Sequence, residues 1–171
     1  AEGAGKTRIL HTVRLAEGLV LEDTRVDLVM KSDTEGIRFL LPADTGADIR
    51  WLLQDVPVTA EQIPDPGVPA VWTVFRIPLK EFSAGTAVTI TCRSRRTAMD
   101  QWTAAIAFPG DQFEFQGSLE VSRADAAILH VENLVPDASY SGSREMSGWS
   151  LPSSPQPVRM RRLQRGATES L

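Results

Sequence analysis

Cysteine, histidine and tyrosine are almost missing from this sequence, and each scarcity removes a class of chemistry. One cysteine, Cys92, cannot close an internal disulfide. Its position in an alternating apolar run predicts a buried, inert thiol. The two histidines, His11 and His130, have no Cys, Asp or Glu neighbours at metal-ligand spacing. A zinc site is therefore not expected, and each His is read as a solvated or hydrogen-bonded strand residue. No apolar run approaches the roughly 18 residues that a membrane-spanning helix requires, so a soluble chain with no membrane span is expected. Basic residues are too few for a general nucleic-acid binder: Lys and Arg number 18 against 22 Asp and Glu, a net charge of −4. The start at Ala1-Glu2 fits removal of an initiator Met and cleavage of a leader equally, and localisation stays open.

What is present is β-type patterning. Val88, Ile90 and Cys92 alternate with Thr89, Thr91 and Arg93, the period of a strand with one face in the core and the other in solvent. Val71–Cys92 reads as two strands joined by a Gly-containing turn. Further strands are expected at 7–15, 25–30, 37–41, 48–53, 102–108, 112–121 and 126–131, with turn residues between them, including EGLVLEDT at 17–24. Pro57, Pro64, Pro66 and Pro69 make 56–69 a long surface loop. About eight or nine strands result, which predicts an all-β, mainly antiparallel β-sandwich or jelly-roll-like body over 1–135. There is room for one short helix, with cap-like starts at Thr97–Asp100 and Ser122–Asp125.

After Val135 prolines and serines accumulate and no apolar face is sustained. Residues 136–171 are expected to form an extended arm with a basic end. Trp149 would anchor that arm on a partner, and Arg159, Arg161, Arg162 and Arg165 would pair with its carboxylates or phosphates.

Three short motifs bear on chemistry. Gly5-Lys6-Thr7 resembles the end of a phosphate-binding P-loop, but a strand pattern follows where a helix is needed. Asp44-Thr45-Gly46-Ala47 resembles the active-site triplet of pepsin-like and retroviral-type aspartic proteases, which implies two such aspartates sharing a proton. One copy is present, and turn composition accounts for it. The cadence FRIPLKEFSAGTAVTI is similar to that of galactose-binding-like jelly rolls, which implies sugar stacking on tryptophans. For Trp51, Trp72 and Trp102 core packing is the expectation.

The sequence thus points to a non-enzymatic structural or binding module. It would be a subunit or accessory protein of a larger assembly, docked on a protein partner or an identical chain through the C-terminal arm, with no cofactor. A carbohydrate-binding module is the first alternative, and an aspartic-protease-like enzyme using Asp44-Thr45-Gly46 is the second.

Overall fold

The protein is all-β. The computed structural model describes residues 7–30, 35–46, 48–79, 83–110 and 114–163. Gly5, Lys6, Ala47 and Arg165 lie outside the described residues, while Thr7 opens a strand rather than a helix.

Fifteen strands were found among the described residues, in three sheets. The largest contains β1 (Thr7–Ala16), β2 (Leu19–Val29), β4 (Asp48–Leu53), β5 (Val56–Val58), β8 (Ala87–Thr97), β11 (Phe115–Ser122), β13 (Val135–Pro136) and β14 (Met146–Ser150), in the order β13-β14-β11-β1-β2-β8-β4-β5. All neighbours are antiparallel except β1 and β11, which run parallel. A second sheet orders β10 (Phe108–Pro109), β3 (Gly36–Pro42), β7 (Trp72–Pro78) and β6 (Glu61–Ile63). In a third, β15 (Arg159–Arg162) runs between β12 (Leu129–Val131) and β9 (Gln101–Thr103).

Local chemistry explains the hairpins. Ala16 pairs with Leu19 across Glu17-Gly18, both at positive φ (40° and 80°), so the turn needs two residues and β2 begins at Leu19. The turn expected across 17–24 is therefore shorter, and Leu19–Thr24 joins the ladder. Gln54 and Asp55 (φ 52° and 64°) make the same kind of two-residue connection between β4 and β5. Strands β5 and β6 both fall in the expected proline-rich loop, because an edge strand tolerates a residue that cannot donate. All four edges of the two larger sheets are short: β13, β5, β10 and β6. Pro136, Pro57 and Pro109 sit inside three of them and Pro64 directly follows the fourth, which protects the sheets from edge-to-edge pairing.

One apolar core joins all three sheets. Ile9, Val13, Val26, Val88, Ile90, Cys92 and Leu119 of the large sheet meet Ile37, Phe39, Leu41 and Ile77 of the second, with Trp102, Leu129 and Met160 of the third. Trp51 lies between Phe39 and Phe75 at centroid distances of 5.5 and 5.6 Å. On β8, Val88, Ile90 and Cys92 are inward as the alternation predicts. Thr91 is also buried, because it faces outward in mid-sheet with Arg25 and Leu52 beside it in register.

Of the two helix starts, one is realised. Ser122 accepts from the Asp125 N–H and caps α1 (Arg123–Ala126), which ends after four residues. At Thr97–Asp100 the ladder continues instead, with Thr97 opposite Leu19 and Ala98 N donating to Gly18 O.

The segment expected to be an extended arm lies on its own body as far as it is described. Strand β14 pairs with β11, β15 fills the third sheet, and Leu151, Val158 and Met160 are buried. Scattered apolar residues suffice here because they lie in short strands or directly beside them, as Leu151 follows β14 and Val158 precedes β15, and the sheets they join supply the rest of the core.

Candidate functional site

Two kinds of site are available: a sealed polar centre and exposed charged sheet faces. The centre grows from the inward positions of β1 and β2. Alternation places Ile9, His11 and Val13 on one face, and Val20, Glu22, Thr24 and Val26 on the facing surface of the next strand. Three polar side chains thus sit where the pattern calls for apolar ones. His11 and Thr24 are fully buried and Glu22 is 1% exposed.

They form a hydrogen-bonded row. Thr24 Oγ1 lies 2.8 Å from His11 Nδ1, and His11 Nε2 lies 2.6 Å from Glu22 Oε2. Hydroxyl, imidazole and carboxylate in this order are the parts of a nucleophilic triad. Their remaining capacity, however, is committed to the protein backbone. Glu22 Oε2 accepts from Ala105 N at 2.8 Å, and Thr24 Oγ1 accepts from Ala107 N at 3.1 Å while standing 3.3 Å from Ala105 O. Arg96 on β8 reaches Glu22 Oε1 at 3.3 Å, Thr45 O at 3.0 Å and Thr103 O.

The reason for this centre lies in the segment 104–107. Ala104, Ala105, Ile106 and Ala107 are all buried yet belong to no strand. Buried backbone N–H and C=O groups must find partners. Ala104 N donates to Val158 O and Ile106 N to Ala104 O, while side chains of the large sheet serve Ala105 and Ala107, so Glu22 and Thr24, bridged by His11, bolt an irregular strap across the core and Arg96 holds Thr103 O at its start. Burying Glu22 beside Arg96 requires that each charge be paired, because an unpaired charge there would cost several kcal/mol. Arg96 Nε is the one buried atom of the set without a hydrogen-bond partner.

The Asp44-Thr45-Gly46 turn borders this centre. Thr45 donates its hydroxyl to Pro42 O at 2.6 Å, Gly46 takes φ 52°, and exposed Asp44 accepts from Thr103 Oγ1 at 3.4 Å. The triplet closes a turn after β3 and gives Arg96 its Thr45 carbonyl. Cys92 is buried, and burial first, then the carboxylates of Glu22 and Asp23, push its thiol far up.

The exposed charges form two sets. On β15, Arg159, Arg161 and Arg162 are exposed and Met160 points inward. Arg159 Nη2 donates to Gln101 Oε1 at 3.4 Å, and exposed His130 lies opposite Arg161. Trp149 does not join them: it pairs in register with Leu119 and Pro136 on β14, half-buried against the core. Trp51 and Trp102 are buried, and Trp72 is partly buried and packs on the core. The second set stands on the outer face of the large sheet, where Arg14, Arg50, Arg93 and Arg95 line a groove of about 380 Å³ with Asp23 and Asp48. A groove of about 610 Å³ runs over the parallel β1–β11 pair between Arg8, Asp27 and Asp137.

Among the described residues no group of three or more His, Cys, Asp or Glu could hold a metal ion, and no helix is long and apolar enough to cross a membrane. No family model matches the chain. No curated protein matches it by sequence either. Solved structures that resemble it include an M1 zinc metallopeptidase from Deinococcus radiodurans, 10% identical with a TM-score of 0.45 over 92% of this chain and 42% of that one. Leukotriene A4 hydrolase from Saccharomyces cerevisiae is 8% identical, with a TM-score of 0.48 over 93% of this chain and 28% of that one. A putative nutrient binding protein from Legionella pneumophila is 13% identical, with a TM-score of 0.47 over 92% and 67%. The chain spans less than half of the two enzymes it resembles, and likenesses at this level carry no functional argument.

Proposed function

We propose that the chain is a non-enzymatic structural or binding module of a larger assembly. The observation that carries this reading is the fate of Thr24, His11 and Glu22: the groups with the identity of a catalytic row are buried, Thr24 and Glu22 are committed to the backbone of Ala105 and Ala107, and both ring nitrogens of His11 are taken up by those two side chains. A reacting substrate would have to displace the strap that they hold. In this reading the contact with a protein partner is made by the outer face of the β9–β15–β12 sheet. Arg159 and Arg161 present guanidinium groups there, and Arg162 stands exposed at the end of the strand, to carboxylates or phosphates of an acidic neighbour. Holding β15 between two strands lowers the entropy lost when such arginines are fixed at an interface.

The test uses the full chain with Arg159→Glu, Arg161→Glu and Arg162→Glu combined. Sedimentation of the tagged protein in extracts of its source should show wild type in a larger complex, and the reversed variant released from it at unchanged Tm. An unchanged complex would overturn the reading. So would a hydrolytic activity that Glu22→Gln abolishes in a protein that stays folded.

A further inference from the structure

The groove on the outer face of the large sheet carries a separate inference, independent of the β15 surface. Register places its side chains in two rows across β1, β2, β8 and β4. The first row reads Arg14, Leu21, Arg95, Asp48, and the second Thr12, Asp23, Arg93, Arg50. Ion pairing is uneven within them. Arg93 Nε lies 3.7 Å from Asp23 Oδ2 and Arg50 Nη2 lies 4.0 Å from Asp48 Oδ2, both at well-exposed positions. Arg14 and Arg95 make no ion pair among the described residues, although both stand exposed on the groove. Two strand spacings separate them, roughly 10 Å, with the partly exposed Leu21 between.

We propose that this groove binds an acidic peptide segment of a partner protein, laid across the strands with carboxylates on Arg14 and Arg95 and an apolar side chain on Leu21. The charge pattern selects this occupant. A phosphate polymer would bring charge of one sign against Asp23 and Asp48 as well as against the arginines. A peptide can place carboxylates on the arginines and a neutral or basic residue beside those aspartates. Among the described residues no aromatic lines the groove to stack a nucleobase.

The test is fluorescence anisotropy of a fluorescein-labelled, glutamate- and leucine-rich peptide with the intact chain at low salt. A version with glutamine for every glutamate is the charge control. The expected result is saturable binding of the acidic peptide only, weakened about five- to tenfold by Arg14→Ala with Arg95→Ala and progressively by added salt. Arg144→Ala, an exposed arginine on neither surface, should leave it unchanged. Absence of saturable binding would overturn the proposal. So would equal affinity of the double variant, tighter binding of a single-stranded oligonucleotide than of the peptide, or self-association abolished by the same two substitutions.

Discussion

His11 Nε2 and Glu22 Oε2 lie 2.6 Å apart on diagonal positions of β1 and β2, with both side chains excluded from solvent. The same carboxylate oxygen takes the Ala105 N–H, so one side chain couples two central strands to the irregular strap over them. Removing it would leave the Arg96 guanidinium without its carboxylate, Ala105 N without an acceptor and His11 Nε2 without its partner, three defects at once.

Glu22→Ala should therefore destabilise the fold by about 3–5 kcal/mol, the range for breaking a buried ion pair. Glu22→Gln keeps an acceptor for Ala105 and should cost less. Urea denaturation of both variants checks this ranking. A Glu22→Ala protein within experimental error of wild type would show that the strap does not depend on this carboxylate.

Deletion of 136–171 removes β14, β15 and the buried side chains of Leu151, Val158 and Met160. At roughly 1.5–3 kcal/mol for each buried apolar side chain, the loss rivals a typical domain stability of about 5–15 kcal/mol. The truncated chain should lose its cooperative thermal transition. Retention of a sharp calorimetric peak would show that the segment is an appendage.

Gly148 faces the ring of Tyr140, and a β-carbon at that position would overlap it. Tyr140 in turn donates its hydroxyl to Glu120 at 2.8 Å. Gly148→Ala should cost about 1–3 kcal/mol through overpacking. In a Tyr140→Ala background most of that cost should vanish, a coupling that a double-mutant cycle measures directly. Additive effects would mean that the ring moves aside freely.

Asp137 accepts from the backbone N–H and hydroxyl of Ser139 and from Ser118, and these bonds hold its carboxyl below the ordinary value of 3.8. A carboxyl lowered in the folded state adds stability that is present above its unfolded pKa and is lost as pH falls through the folded one. Carboxyl-detected NMR titration should place Asp137 below 3.8, and Ser139→Ala should move it upward. An unmoved midpoint in that variant would assign the shift elsewhere.

Alternation of Val88, Ile90 and Cys92, and of residues 7–15, was enough to predict an all-β protein, because a strand with one buried face repeats every two residues whatever it pairs with. The same property explains the buried Trp51 and Trp102 and the inward thiol of Cys92. The polar centre stayed hidden for a specific reason. Glu22 and Thr24 fall in a stretch rich in turn-type residues, and only the two-residue Glu17-Gly18 connection sets the register that brings them beside His11. Once β2 is extended to Leu19, His11 between Ile9 and Val13 and Glu22 between Val20 and Thr24 become visible as polar residues at core positions. The C-terminal segment differs in kind. Its apolar residues are too sparse to announce a core of their own, and their burial depends on partner strands that come from distant parts of the chain, β11 for Trp149 and β9 with β12 for Met160. Local periodicity is written in the sequence, whereas the pairing of remote strands, and with it the arginines brought together on β15 and around the groove, exists only once the sheets have assembled.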